Sequence, residues 1–222
     1  MKPTNIKTLG VVLAGGAGSR LGGLDKGLQV FQGITLVEHI IHALGAQADG
    51  LLVCANRNIE TYREFGYPVI EDQKKSKHQA SLFQGSFFQG SFFQGSMFQE
   101  FQGPMAGINA AINFILNNEH LSTVEQLLIA PCDAPKLPCD YAKRLSKARS
   151  SVAFAHDGQR QQNLHCLIKR PQWSSLQSFY DDGGRAIHRW FEQVNALMVD
   201  FSDKRDCFVN INRPDELLAL NK

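Results

Sequence analysis

The five cysteines of this 222-residue chain, Cys54, Cys132, Cys139, Cys166 and Cys207, are odd in number, and no two form a CxxC pair. That spacing argues against a disulfide framework and a zinc site, and it fits reduced thiols in a cytoplasmic protein. An excess of one charge is also missing. The chain has 23 Lys and Arg against 21 Asp and Glu, a formal net charge of +2, so no global field points to nucleic acid or a membrane surface. Any anionic ligand has to be handled locally. Long apolar runs are absent: the first breaks at Gly15-Gly16, too short for a signal peptide, and none has the length of a membrane span. Two common phosphate motifs fail as well. A P-loop needs Ser or Thr after Gly-Lys, whereas Lys26 precedes Gly27. The dinucleotide fingerprint needs a third glycine where Leu21 stands.

What is present is an ordinary globular composition, 43% hydrophobic and 20% charged, enough for one α/β domain over residues 1–222. Short apolar runs alternate with helix-like segments, the pattern of a mainly parallel sheet covered on both faces. After a first strand through Leu9–Leu13, Ile34, Val37, Ile40, Ile41 and Leu44 recur at helical spacing. Strands are expected at 50–55, 67–70, 126–130, 152–155, 164–168, 196–200 and 207–211. Helices are expected at 58–65, 106–117, 138–150, 171–181 and 185–193, with a last one from Pro214. Between residues 73 and 102 this pattern stops. A basic run, Lys74-Lys75-Ser76-Lys77, precedes a near-repeat of period five, SLFQG, SFFQG, SFFQG, SMFQE, over Ser81–Glu100. Period five fits neither an amphipathic helix nor a half-buried strand, and the Gln/aromatic bias marks a low-complexity segment.

The chemistry concentrates at strand ends. Leu13–Lys26 reads LAGGAGSRLGGLDK, an apolar strand running into five glycines that are closed by Arg20, Asp25 and Lys26. Glycine allows backbone N–H groups to approach a ligand closely, and successive N–H groups form an anion-binding concavity. A nucleoside triphosphate is the ligand this suits, with Arg20 and Lys26 as cations; the plainer alternative is a glycine-rich turn with solvated charges. Asp133 ends another apolar strand, and Ala134-Pro135 sets its exit. A carboxylate there suits Mg²⁺, which also takes phosphate oxygens and keeps waters, although Asp often simply closes such a turn. Asp72 follows a short strand and falls on the side where ligands of open α/β sheets bind. Cys54 ends a strand beside Leu51, Leu52 and Val53, so a small buried apolar role is open to it.

LAGG, Arg20, Gly22 and Asp25-Lys26 together resemble the signature of nucleotidyltransferases that activate sugar phosphates and cofactors. In the right order follow ANR at 55–57, VIED at 69–72, GPMAG at 103–107 and PCDAP at 131–135. HDGQR at 156–160, DFSD at 200–203 and FVNINRPDEL at 208–217 complete the set. Over nearly its whole length, except about residues 73–100, the chain is similar to the molybdenum cofactor guanylyltransferases, the MobA family. Members of that family have a short link there, so the resemblance implies that 73–102 is an insertion loop within the domain. The resemblance implies a three-layer α/β/α Rossmann-like domain. It further implies transfer of GMP from GTP to the phosphate of molybdopterin, with Mg²⁺ on Asp133. Arg20, Lys26 and Asp133 would be catalytic, and Leu13, Ala14, Gly15, Gly16, Lys26, Cys54, Asp72 and Asp133 would surround the nucleotide. His156, Asp157, Arg160, Asn163, Arg185, Asn210 and Asn212 would face molybdopterin. Relatives carry Asn where this chain has Cys54, and often ER-x-HP where it has Gln159-Arg160-Gln161-Gln162-Asn163. Cytidylyl transfer to the same cofactor, transfer to another phosphate, or a nucleotide-binding assembly protein are the alternatives. The implied partners are GTP, molybdopterin and transiently the cofactor-delivery proteins or molybdoenzymes, not nucleic acid or membrane.

Overall fold

The computed structural model describes residues 6–14, 25–71 and 103–211. The insertion expected at 73–102, the helix expected from Pro214, and Gly15, Gly16, Arg20, Asp72 and Asn212 lie outside them. Strand β1 (Thr8–Leu13) buries both of its faces: Leu9, Val11 and Leu13 enter one core cluster, while Val12 and the following Ala14 enter the other. Successive side chains of a strand point to opposite faces, so a strand covered on both sides reads as an unbroken apolar run. A 3₁₀ turn (Lys26–Leu28) leads to the hairpin β2 (Val30–Phe31) and β3 (Ile34–Thr35). Its turn residues Gln32 and Gly33 both have positive φ, 48° and 91°, as a tight hairpin turn requires. Helix α1 (Leu36–Gly45) starts in a capping box: Thr35 Oγ1 accepts from the Glu38 N–H, and Glu38 accepts from the Thr35 N–H.

The chain continues through β4 (Gly50–Cys54), α2 (Ile59–Arg63), β5 (Val69–Ile70) and α3 (Pro104–Leu116). Next come β6 (Gln126–Pro131), α4 (Tyr141–Lys147), β7 (Val152–His156), β8 (Gln161–Lys169), α5 (Trp173–Asp181), α6 (Ile187–Gln193) and β9 (Leu197–Asp200). Seven strands form one sheet in the order β5-β4-β1-β6-β8-β7-β9. Only β8 runs against its neighbours β6 and β7; the other pairings are parallel. Helices α3, α5 and α6 bury Ile108, Ile112, Leu176 and Trp190 on one face, and α1, α2 and α4 bury Ile40, Leu44, Tyr62 and Tyr141 on the other. This is the three-layer α/β/α arrangement with a mainly parallel sheet. From β1 the chain winds out to β4 and β5 on one side, while β6 lies on the other. The winding reverses between β1 and β6, and a crevice opens at such a point beyond the strands' carboxyl ends.

Several boundaries depart from the sequence pattern. Residues 207–211 are not a strand: Ser202–Phe208 turn in 3₁₀ fashion, Phe208 packs edge-on against His165 and Phe201, and the Ile211 N–H bonds outside the strand ladders. The helix expected from Pro138 begins only at Tyr141, after a turn closed by Tyr141 N–H to the Pro138 carbonyl. Ile34 pairs with Phe31 in the hairpin and does not belong to α1. Asn58 has φ 49°, a left-handed conformation that delays α2 by one residue.

Candidate active site

The carboxyl ends of β1, β4 and β6 stay paired one step beyond the strands. The Ala14 N–H donates to the Cys54 carbonyl at 2.8 Å, and the Cys132 N–H to the Leu13 carbonyl at 3.0 Å. This extension fixes the backbone that carries Asp133, the first side chain past Cys132 at the reversal point. Lys26 reaches Asp133 from the 3₁₀ turn: its Nζ donates to Oδ2 at 2.7 Å. The pair is only 17% and 24% exposed, so a Coulomb interaction there is less screened than on an open surface. The other oxygen, Oδ1, is buried and has no hydrogen-bond partner among the described residues. An unsatisfied buried carboxylate oxygen is costly, and a divalent cation is one group that would relieve it. Among the described residues no three His, Cys, Asp or Glu side chains gather to bind a metal unaided; Mg²⁺ commonly combines one or two carboxylates with phosphate oxygens and water. The Asp133 carbonyl accepts the Ile211 N–H at 2.8 Å, which brings exposed Asn210 to this strand end.

Lys26 is held in place from behind. Asp25 is buried, and its Oδ1 accepts from the Gly27 N–H at 3.1 Å and the Tyr62 hydroxyl at 2.8 Å. Its Oδ2 accepts from Asn58 Nδ2 at 2.9 Å and faces Arg57 Nε at 3.5 Å. Burial, then Cys132 and Asp25 nearby, push the Tyr62 phenol well above its ordinary range, so it stays a donor. Burial and then Asp133 likewise keep Cys132 a neutral thiol. Sequence reasoning missed Tyr62 and Asn58 as parts of this site. The signal was present in the adjacent Asp25-Lys26 and in Arg57 of ANR, but which groups they meet depends on α2.

Cys54 is 1% exposed and donates its Sγ–H to the Gly107 carbonyl of α3 at 3.4 Å. On the far half of the sheet, His156 ends β7 and Asp157 is buried in the β7–β8 turn. Asp157 Oδ1 accepts from the Gln159 and Arg160 N–H groups at 2.8 and 2.7 Å, and Oδ2 from Gln162 Nε2 at 2.7 Å. Burial opposes its charge, but these donors prevail and hold the carboxyl below its usual range. Arg160 therefore contributes its N–H to the turn while its side chain is exposed. Asn163 lies on β8, its Oδ1 buried without a partner among the described residues. Arg185 is elsewhere, at the α5–α6 corner: it stacks on the Tyr180 ring at 4.1 Å and donates to the Tyr180 and Gly184 carbonyls. It lines a cleft of about 820 Å³ with Ser175, Ser178 and Arg189. The structure thus brings together Lys26, Asp133, Leu13, Ala14 and Asn210, and separately His156, Asp157 and Arg160.

Residues 10–85 and 94–197 match the MobA-like NTP transferase domain. A Photobacterium profundum protein named molybdenum cofactor guanylyltransferase is 36% identical over 218 residues, 97% of this chain and 96% of that protein. The crystal structure of molybdopterin-guanine dinucleotide biosynthesis protein A from Archaeoglobus fulgidus has the same fold. It superposes with a TM-score of 0.65 at 18% identity, covering 95% of each chain. A Mycobacterium tuberculosis protein solved as a complex with manganese superposes with a TM-score of 0.55 at 12% identity, covering 87% of this chain and 88% of that one.

Proposed function

The chain belongs to the MobA-like NTP transferase family, and from that premise we propose that it transfers GMP from GTP to the terminal phosphate of molybdopterin. The products are the guanine dinucleotide form of the cofactor and pyrophosphate. The observation that carries this reading is the Lys26–Asp133 pair at the point where the sheet's winding reverses, with Asp133 Oδ1 left unsatisfied. Relatives that share about a third of the residues over nearly the full length carry the guanylyltransferase name, which supports the base and the acceptor.

In nucleotidyl transfer an acceptor phosphate oxygen attacks the α-phosphorus in line while the bond to the bridging oxygen of pyrophosphate breaks. Positioning and charge neutralisation supply most of the rate. Lys26 binds triphosphate oxygens, and Arg20 shares that task from the glycine loop. Leu13, Ala14, Gly15 and Gly16 hold the nucleotide by their backbone, with Asp72 toward base and ribose; Cys54 supports the strand end beneath them, its thiol buried against the Gly107 carbonyl. Asp133 holds Mg²⁺, which when bound offsets the negative charge that grows on the phosphates. The 2.7 Å pairing with Lys26 holds the Asp133 carboxylate in one orientation before substrate arrives. His156, Asp157, Arg160 and Asn163, on and around the β7–β8 hairpin, form the molybdopterin side together with Asn212, while Asn210 stands beside Asp133 and Arg185 lies apart at the α5–α6 corner. Asp157 serves there by shaping the turn that presents Arg160. We also read the chain as one cytoplasmic domain, into which residues 73–102 are inserted; the family match breaks between residues 85 and 94, inside the repeat. Hand-over of the product requires brief contact with delivery proteins or molybdoenzymes.

Turnover with each of the four ribonucleoside triphosphates, Mg²⁺ and molybdopterin, scored by pyrophosphate release, tests the reading. GTP is expected to be preferred, and equal rates with CTP would refute the guanylyl assignment. Asp133→Ala is expected to abolish turnover with little change in melting temperature. Near-wild-type rates for that variant at saturating Mg²⁺ would remove Asp133 from the site.

A further inference from the structure

Asp25 stands between two parts of the chain that are distant in sequence. One is the 3₁₀ turn that it opens, whose Gly27 N–H it accepts; the other is the segment after β4, which supplies Arg57, Asn58 and Tyr62. Both carboxylate oxygens are engaged, and its side chain is 4% exposed. Burying a carboxylate is tolerable only when charge and hydrogen bonds compensate it, so this cluster is costly for closing a three-residue turn. Gly27 completes the lock. A Cβ on Gly27 would collide with the Tyr62 hydroxyl oxygen, and behind it lies Cys132 Sγ at 3.4 Å. Lys26 sits between these two fixed residues, and its ammonium meets Asp133, 107 positions further along the chain.

We propose that Asp25, held by Tyr62 and Asn58, is the positioning residue for Lys26. The buried cluster decides where the Lys26 ammonium stands, so that the cation is in place before the triphosphate binds. A preorganised charge in a water-poor site needs no reorganisation as the reaction proceeds, which gives the cluster its value for catalysis. Tyr62 and Asn58 touch no substrate and act through Asp25 and the turn. This inference rests on the reading of Lys26 as a triphosphate ligand.

A double-mutant cycle separates positioning from general support of the fold. Tyr62→Phe keeps the buried ring and removes only the donor to Asp25. In the wild-type background it is expected to lower kcat/KM for GTP about tenfold, the loss that follows when one hydrogen bond to a buried charge is removed. In a Lys26→Ala background the same change is expected to lower it less than about twofold, because the group being positioned is gone. If Tyr62→Phe folds poorly, Asn58→Gly serves instead, since glycine accepts the φ of 49° and lacks the amide donor. Equal losses in both backgrounds, or no loss in the wild-type background, would overturn the proposal. Lys26→Ala with wild-type turnover and GTP affinity would instead refute the role of Lys26, an outcome visible before the cycle is closed.

Discussion

Burial alone pushes the His165 pKa down to about 3. The imidazole is 1% exposed and meets the rings of Tyr141 and Phe208 edge to face at 6.2 and 4.9 Å, with Nε2 unpartnered among the described residues. In the unfolded chain the same group titrates at about 6.5. Between these values the unfolded chain binds the extra proton, so stability rises with pH through that window and falls as the solution is acidified. The stability that a neutral His165 allows is complete above about 6.5. It is lost at up to roughly 1.4 kcal/mol per pH unit below that value. His165→Leu is expected to flatten the urea midpoint against pH between about 6.5 and 4 relative to wild type. A parallel curve for the two proteins would show that another group governs acid sensitivity. Asp157 acts in the same direction from a different cause. Its lowered carboxyl pKa gives stability that is present at neutral pH and lost as pH falls through that depressed value.

At the scale of single elements, local hydrogen bonds decide where helices and turns begin. Helix α1 is an example, because its Thr35–Glu38 box satisfies donors that no intrahelical carbonyl reaches. Thr35 Oγ1 accepts the Glu38 N–H, and its own O–H donates to Glu38 Oε2 at 2.6 Å. These bonds hold the Glu38 carboxyl below its ordinary range. Thr35→Ala is expected to cost about 1 kcal/mol and lower the melting temperature by roughly 2–4 °C, with kcat/KM for GTP unchanged. A fall in kcat/KM without a fall in melting temperature would tie the hairpin and α1 to the chemistry. Helix α4 is anchored differently. Arg144 donates to both Asp203 oxygens at 2.6 Å and to Asp140 at 2.8 Å, and its guanidinium lies 4.9 Å from the Phe201 ring centroid. These contacts fasten the segment after β9 to the sheet's outer half.

For the whole molecule, stability resides in the two clusters on either face of the sheet, and Leu52 of β4 is fully buried in the one under α3. Leu52→Ala is expected to cost about 2–5 kcal/mol, read as a shift in urea midpoint, because the surrounding helices and strands relax only partly into the gap. The proposed insertion makes the opposite prediction. Lengthening a loop costs only about 0.6 kcal/mol per doubling, so a core that carries residues 73–102 does not depend on them. Deleting residues 80–95 is expected to leave the melting temperature and GTP affinity nearly unchanged. Unfolding of the shortened chain would refute the insertion reading.

The alternation of apolar runs and helical periods determined the mainly parallel, doubly covered sheet. Strands buried on both faces carry their own signal: Thr8–Leu13, Gly50–Cys54 and Gln126–Pro131 all lie within about a residue of where that pattern puts them. Motif order likewise singles out Lys26 for the triphosphate and Asp133 for the metal, but that the two side chains pair directly is decided by the tertiary structure. Local pattern failed where long-range contacts prevail. Residues 207–211 look like a strand, but Phe208 gains more by joining Phe201 and His165 in the core than by extending a sheet edge. The left-handed Asn58, the thiol of Cys54 turned to Gly107, and Asp157 folded into its own turn were equally invisible, because each depends on a partner that only packing supplies. Asp25 is the clearest case. In the sequence it is a charge beside Lys26 at the end of a glycine loop. Its burial beneath Tyr62, Asn58 and Arg57 exists only once α2 has closed over the turn, since a carboxylate enters an interior only where donors are already arranged to receive it.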